Sequence, residues 1–231
     1  MDIVDKEIRD FFLSSYQPPH PMLLSLRQQG ERALVPIIMR DTESVLGMLL
    51  RMKRPSRILE VGTAIGYSAM FFALSCPEAE VYTIEQDPQV FRSARANIQA
   101  AGLDHRIHSL LGDGAEEIDK LRDKGINGFD LVFLDAGKSH YRRFLDSALA
   151  VIASEALIVA DNILIHGMTV AEAADPRRKH LTNVRKMREY LDYVLTEENM
   201  MTTLLPVGDG LAITEIRTHE QNRTAGSGRR P

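Results

Sequence analysis

The stretch Arg57-Ile58-Leu59-Glu60-Val61-Gly62-Thr63-Ala64-Ile65-Gly66-Tyr67-Ser68 decides the architecture. An apolar run stops at a glycine, a short loop follows, and a helix-forming stretch begins at once. That is a strand, a tight turn and a helix start, the opening unit of a parallel α/β sheet. The glycines let the backbone come close to a ligand. Their spacing, G-x-x-x-G, differs from the G-x-G-x-x-G that brings a helix N-terminus onto a pyrophosphate, which disfavours an NAD-dependent oxidoreductase. Glu60 stands two residues ahead of the first glycine. An acid there opposes an anionic ligand and suits a cationic one.

Outward from this stretch, apolar runs recur at Arg57–Val61, Val81–Glu85, Ile107–Leu111, Asp130–Leu134 and Ala156–Ala160. Helical stretches lie between them near Tyr67–Leu74, Pro88–Ala101, Ala115–Lys124 and Ser139–Ala153. Strands that are apolar throughout belong in a parallel sheet covered on both faces, and right-handed crossovers wind that sheet doubly. Upstream, residues 1–54 read as a helical cap. Ile3, Ile8, Phe11, Phe12 and Leu13 recur at near-helical spacing until Gln17-Pro18-Pro19 breaks the chain. A second helix fits Pro21 to Gln29, ended by Gly30, and a third fits Thr42 to Lys53, stopped before Pro55. Near the end, Met201–Leu205 and Leu211–Ile216 flank Pro206-Val207-Gly208-Asp209-Gly210, an Asp-Gly hairpin signal. Five β-α units followed by an antiparallel hairpin make a doubly wound, mainly parallel, seven-stranded Rossmann-like sheet of the class I methyltransferase type. One domain is expected over residues 1–218, with 219–231 a polar tail that reads as disordered.

The composition is that of an ordinary globular protein: 231 residues, 44% apolar and 26% charged, with a net charge of −4. One cysteine, Cys76, excludes an intramolecular disulfide and fits a reducing cytoplasm. No basic start leads into an apolar stretch, and no run of ~20 apolar residues occurs, so neither a signal peptide nor a membrane partner is expected.

The strand ends carry the chemistry. The second strand ends in Glu85, about twenty residues beyond the loop, where an acid takes two ribose hydroxyls. The third ends in Gly112-Asp113-Gly114, suited to an adenine edge. With Glu60 favouring a cation, these groups fit S-adenosylmethionine, which carries an ammonium and a sulfonium. The fourth strand ends in Asp135 and the fifth in Asp161-Asn162. Both ends lie at the carboxyl edge of the sheet, so Asp135, Asp161 and Asn162 should converge as three hard oxygen ligands, the chemistry of Mg²⁺ or another divalent cation. Lys138 follows Asp135 by three residues, and a lysine beside a dication gives up its proton more readily and can serve as a base.

Ile58–Ser68, Phe129–Lys138 and Ala160–Asn162 resemble the metal-dependent O-methyltransferases, the family of catechol and caffeoyl-CoA O-methyltransferases. The resemblance runs from about Val35 to Ile216. Within it, Leu34–Ile37, Glu60–Ser68 and Pro206–Ile213 look like the bacterial branch that methylates 5-hydroxyuridine in tRNA. The resemblance implies Asp135, Asp161 and Asn162 as metal ligands, with Lys138 as base and Asp135 also catalytic and beside the cofactor. It implies Ile38, Glu60, Gly62, Ser68, Glu85, Asp113 and Gly114 along the cofactor site, and a homodimer. Ala136 stands where catechol-type enzymes often carry a histidine, and the chain has no tryptophan to wall a catechol pocket.

The segment from Arg177 to Arg188 holds six lysines and arginines and no acid. It follows the fifth strand, so it can flank the pocket mouth. A helix burying Leu181, Val184, Met187 and Leu191 would turn its basic residues outward, and Arg177, Arg178, Lys179 and Arg185 are the candidates to grip RNA phosphates. The expected activity is metal-dependent methylation of the 5-hydroxyl of a tRNA wobble 5-hydroxyuridine. The alternative is a catechol-like small molecule, which presents the same pair of adjacent oxygens.

Overall fold

The computed structural model describes residues 6–18, 20–32, 35–171 and 179–217. The tail expected at 219–231 lies outside the described residues, as does Ile3. Strands β1 (Arg57–Val61), β2 (Glu80–Glu85), β3 (Ile107–Leu111), β4 (Phe129–Leu134) and β5 (Ile152–Asp161) run parallel. Strands β6 (Met200–Leu205) and β7 (Leu211–Arg217) form the hairpin, with β7 antiparallel to β5. The order is β3-β2-β1-β4-β5-β7-β6, so the winding reverses between β1 and β4. A ligand crevice opens at such a reversal, beyond the carboxyl ends of the strands.

The strands are apolar on both faces because both faces are covered. Along β4, Leu131 and Phe133 point into one core and Val132 and Leu134 into the other. The first core packs under α2 (Pro21–Arg32), α3 (Arg40–Lys53), α4 (Tyr67–Ser75) and α5 (Pro88–Ala100), where Phe72 meets Phe133 edge to face at 5.4 Å. The second packs under α6 (Gly114–Asp123), α7 (Tyr141–Ala148) and α8 (Leu181–Thr196) through Ile118, Leu145, Met187 and Val194. Outermost lies α1 (Lys6–Ser15), with Ile8, Phe11 and Phe12 exposed. No helix among the described residues is long and apolar enough to cross a membrane.

Register sets the strand ends level. Val61 pairs with Ile84 on one side and Leu134 on the other, and Leu134 pairs with Ala160. Gly62, Glu85, Asp135 and Asp161 therefore emerge side by side at one edge.

Two helices depart from the expected bounds. α2 runs through Gly30 to Arg32 instead of stopping there. A side chain at Gly30 would come within 3.1 Å of Ile65 in the loop after β1, so this glycine serves close packing and not a helix stop. The helix expected over Ser139–Ala153 is a 3₁₀ turn (Lys138–His140) and then α7, which ends at Ala148 because Ile152 already enters β5.

Candidate active site

A cavity of about 390 Å³ opens at this edge. Ile38, Gly62, Ser68, Glu85, Gly114, Asp135, Lys138 and Asn162 all line it, so eight residues singled out in the sequence meet there. Gly62 adopts φ +106°, and a Cβ on it would run into the Asp135 carbonyl oxygen. Only glycine lets β1 and β4 close up here. Glu85 accepts from the backbone N–H of Ala64 (3.1 Å) and of Asp87 (3.0 Å), which fixes its carboxylate at the cavity wall. Pro36, Ile37 and Ile38, in the chain between α2 and α3, add apolar surface to the same wall.

Glu60 does not reach the cavity itself. It is fully buried beneath the loop, and burial pushes its carboxyl up to about 7 against the hydrogen bonds from Ser68 and Thr83. Thr83 donates to its Oε2 at 2.5 Å and meets Thr63 at 2.5 Å, while Oε1 has no partner. Ser68 lines the cavity and its hydroxyl acts on Glu60, so the acid communicates with the cavity through that residue. A half-satisfied buried acid fits a cationic ligand. Its effect is to draw positive charge toward this end of the site.

Asp113 falls elsewhere. Its carboxylate caps α6, accepting from Ala115 and Glu116, and pairs with Arg143. It is absent from the cavity wall, where Gly112 and Gly114 stand instead. The acid is used as a helix cap, and backbone replaces it against a ligand.

At the other end, Lys138 Nζ lies 2.9 Å from Asp135 Oδ1, 2.7 Å from Asn162 Oδ1 and 2.9 Å from the Tyr141 hydroxyl. The buried Tyr141 hydroxyl in turn donates to the Asp161 carbonyl at 2.8 Å. Asp161 is 1% exposed, and its carboxylate accepts the Asn162 N–H at 2.7 Å, with no side-chain donor to it among the described residues. Burial first and the Asp135 charge second push it upward from the usual carboxylate range. Two acids facing one another with one lysine between them form a site short of positive charge. Two carboxylates and an amide oxygen are hard donors that fit Mg²⁺. Among the described residues no group of three His, Cys, Asp or Glu gathers, which follows from the third donor being an amide.

The basic segment is only partly as expected. Arg177 and Arg178 lie outside the described residues. Lys179 precedes α8, and Arg185 is exposed and pairs with Glu189 at 3.4 Å, as Lys186 does at 2.6 Å. Arg188 turns inward, donating to the Thr169 carbonyl at 2.8 Å, so it ties α8 to the chain after β5. Val184, Met187 and Leu191 are buried as expected, whereas Leu181 is exposed. α8 packs on the 3₁₀ turn that carries Lys138, and its second half meets the helix after that turn, with Tyr190 edge to face on Tyr141 and Tyr193 under Arg142.

Sequence reasoning missed a buried ion pair behind the cavity. Glu43 accepts from Arg27, from Tyr16 and, at 2.8 Å, from Tyr67, which lines the cavity; Arg27 also donates to the Ile38 carbonyl at 3.0 Å. The signal was present: Arg27 shares its helix face with Leu23, Leu26 and Gly30, all buried. A charge on an apolar stripe announces a partner.

Fold and site together define a class I methyltransferase that uses S-adenosylmethionine. The chain belongs to the O-methyltransferase family, whose model matches residues 13–217. It is 30% identical over 183 residues to caffeoyl-CoA O-methyltransferase 2 of Populus trichocarpa, covering 75% of this chain and 72% of that one. It is 33% identical over 128 residues to a catechol O-methyltransferase of Niastella koreensis, covering 55% and 58%. The crystal structure of a candidate caffeoyl-CoA O-methyltransferase from Staphylococcus aureus superposes with a TM-score of 0.85 at 27% identity, over 91% of this chain and all of that one. An O-methyltransferase from Bacillus cereus in complex with SAH shares the fold with a TM-score of 0.79 at 21% identity, covering 91% and 97%.

Proposed function

We propose that this O-methyltransferase methylates the 5-hydroxyl of 5-hydroxyuridine in tRNA, with a divalent cation held by Asp135, Asp161 and Asn162. The observation that carries the core of this reading is Lys138, whose amine sits between the Asp135 carboxylate and the Asn162 amide oxygen at the mouth of the cofactor cavity. S-adenosylmethionine supplies a methyl group on a sulfonium, and a divalent cation supplies Lewis acidity toward two adjacent acceptor oxygens. Lys138 takes the acceptor proton at Nζ. Tyr141, hydrogen-bonded to Lys138 and to the Asp161 carbonyl, fixes the angle at which that amine points. Glu85, Ser68 and the glycine loop hold and orient the cofactor, and Ile37 and Ile38 exclude water from it.

The basic residues of α8, a helix that packs on the turn carrying Lys138, support an RNA acceptor. The names of the relatives support the second reading, a catechol-like or caffeoyl-type small molecule. Methyl transfer from labelled S-adenosylmethionine, with and without Mg²⁺, to tRNA bearing 5-hydroxyuridine and to a simple catechol separates the two. Chelator-sensitive labelling of the tRNA with poor labelling of catechol is expected. Arg185→Glu with Lys186→Glu should then lower tRNA methylation about tenfold, and reduce its salt dependence, without changing catechol turnover. Labelling of catechol alone overturns the RNA reading, and full activity in chelator overturns the metal. The family resemblance also implies a homodimer, which light scattering on the purified chain checks.

A further inference from the structure

The hairpin loop between β6 and β7 stands outside the cofactor cavity, yet Asp209 and Gly210 bond it to Ile163, Leu164 and His166 in the chain beyond Asn162. Asn162 itself has a left-handed backbone, φ 56°. Ile165 (φ 49°), His166 (φ 55°) and Gly167 (φ 85°) follow in the same region. A β-branched residue such as isoleucine resists that conformation, and such a turn persists only where its surroundings over-determine it.

What over-determines it is Asp209. Its carboxylate, with a side chain only 13% exposed, accepts the His166 N–H on both oxygens, at 2.8 and 3.0 Å. Its carbonyl accepts the Leu164 N–H at 2.9 Å, and the next carbonyl, of Gly210, accepts the Ile163 N–H at 3.1 Å. The two loops lie so close that a Cβ on Gly210 would meet the Ile163 and Leu164 side chains below 3.0 Å. The hairpin loop is itself anchored, because the Gly208 N–H donates to Asp41 Oδ2 at 2.8 Å near the start of α3. The connected path runs from α3 through the hairpin loop into the strained turn, and the turn begins at Asn162, whose amide oxygen meets Lys138.

We propose that Asp209 is a positioning residue for the acceptor end of the site: by clamping residues 163–166 it holds the Asn162 amide oxygen beside Lys138 and Asp135. The proposal rests on the reading of Asn162 as a ligand at that end. It separates the two halves of the site physically. The cofactor half hangs on the loop after β1 and on Glu85, and no bond from Asp209 reaches either.

The test compares the parent chain with Asp209→Ala and Asp209→Asn. The asparagine keeps one oxygen to accept the His166 N–H and serves if the alanine variant folds poorly. Hydrogen exchange by mass spectrometry reads the backbone N–H groups of Ile163, Leu164 and His166, calorimetry reads S-adenosylhomocysteine binding, and titration with Mn²⁺ reads the metal. In Asp209→Ala, which takes the acceptor from the His166 N–H and leaves the carbonyls that hold Ile163 and Leu164, exchange in the peptide over 163–170 should rise by at least the His166 amide while that over 57–75 stays at the parent level. Mn²⁺ affinity and acceptor KM should weaken about 10- to 100-fold, as happens when a group orienting a ligand is removed, with S-adenosylhomocysteine affinity unchanged. Asp209→Asn should fall between. Parent-level protection over 163–170 in Asp209→Ala overturns the clamp, and so does a loss of S-adenosylhomocysteine affinity in step with the rest, which would mark a general loosening of the fold. If the parent chain itself binds no Mn²⁺, the metal reading fails on its own, and exchange with acceptor KM still decides the clamp.

Discussion

Replacing Glu43 by alanine should destabilise the protein severely and weaken cofactor binding selectively. Glu43 is wholly buried and Arg27 is 4% exposed. The carboxylate accepts from Arg27, Tyr16 and Tyr67, and the Arg27 guanidinium sits 4.6 Å over the Tyr67 ring. Removing the acid leaves a buried guanidinium with two neutral acceptors, the Tyr67 hydroxyl and the Ile38 carbonyl, and a half-exposed Glu31 carboxylate 3.9 Å away. Breaking one side of a buried pair costs about 3–5 kcal/mol, since the surviving charge keeps its desolvation penalty. For a chain of this size each kcal/mol moves Tm by about 2–4 °C, so the expected fall is roughly 6–20 °C. Because Glu43 fastens Tyr67 and also holds in place the Arg27 that fastens Ile38, the change loosens two cavity-lining residues together. The KM for S-adenosylmethionine should rise while the acceptor KM holds. Scanning calorimetry and steady-state kinetics read both effects. Arg27→Met with Glu43→Leu removes both charges and should recover most of the Tm, a non-additivity that only a direct pair produces. A Tm within about 2 °C of the parent for Glu43→Ala would refute the reasoning, because a burial this complete cannot be cheap.

Gly62→Ala should abolish S-adenosylmethionine binding in calorimetry, since its Cβ would collide with the Asp135 carbonyl oxygen in a backbone of φ +106°; retained affinity would show that β1 and β4 can part. Lys138→Met should lower kcat by about 10²–10⁴-fold with the cofactor KM unchanged, and a variant keeping half its kcat would remove Lys138 from the chemistry. Burial raises Glu60 from 4.5 to about 7, so the folded chain holds this proton more tightly than the unfolded one between those values. That contribution to stability is complete below pH 4.5 and is lost as pH rises toward 7. Ligand-free Glu60→Gln should therefore show a flatter fall of Tm across that window than the parent, and parallel curves would contradict the assignment.

The strand ends were legible because they are local signals. β1 and β3 begin and end where their apolar runs do, and Asp135 and Asp161 mark where β4 and β5 leave the sheet. What escaped was settled by contacts remote in sequence. Gly30 looks like a helix stop until Ile65 is brought against it. Asp113 looks like a cofactor residue until Arg143 is brought against it from α7 while α6 takes its remaining bonds. Arg188 looks like one more outward cation on a basic helix until Thr169 offers its carbonyl. Tyr141 lies three residues past Lys138, but its bond to the Asp161 carbonyl needs β5 beside β4.

The same division runs through the site itself. Cofactor recognition depends on loops that leave the sheet at its winding reversal, so the short motif that makes the strand also makes the binding surface. On the reading proposed above, acceptor recognition falls to elements that meet only after folding: the turn after Asn162, the hairpin loop at Asp209 and helix α8. Each of these is held by a long-range bond, Asp209 to His166, Asp41 to Gly208, Arg188 to Thr169. A chain can therefore change these elements, and with them its acceptor, while keeping Glu85, Asp135, Lys138 and Asn162 in register. Relatives named for caffeoyl-CoA and for catechol share one family with this chain, so on that reading the acceptor is to be sought in the walls around Lys138 rather than in the motifs that hold the cofactor.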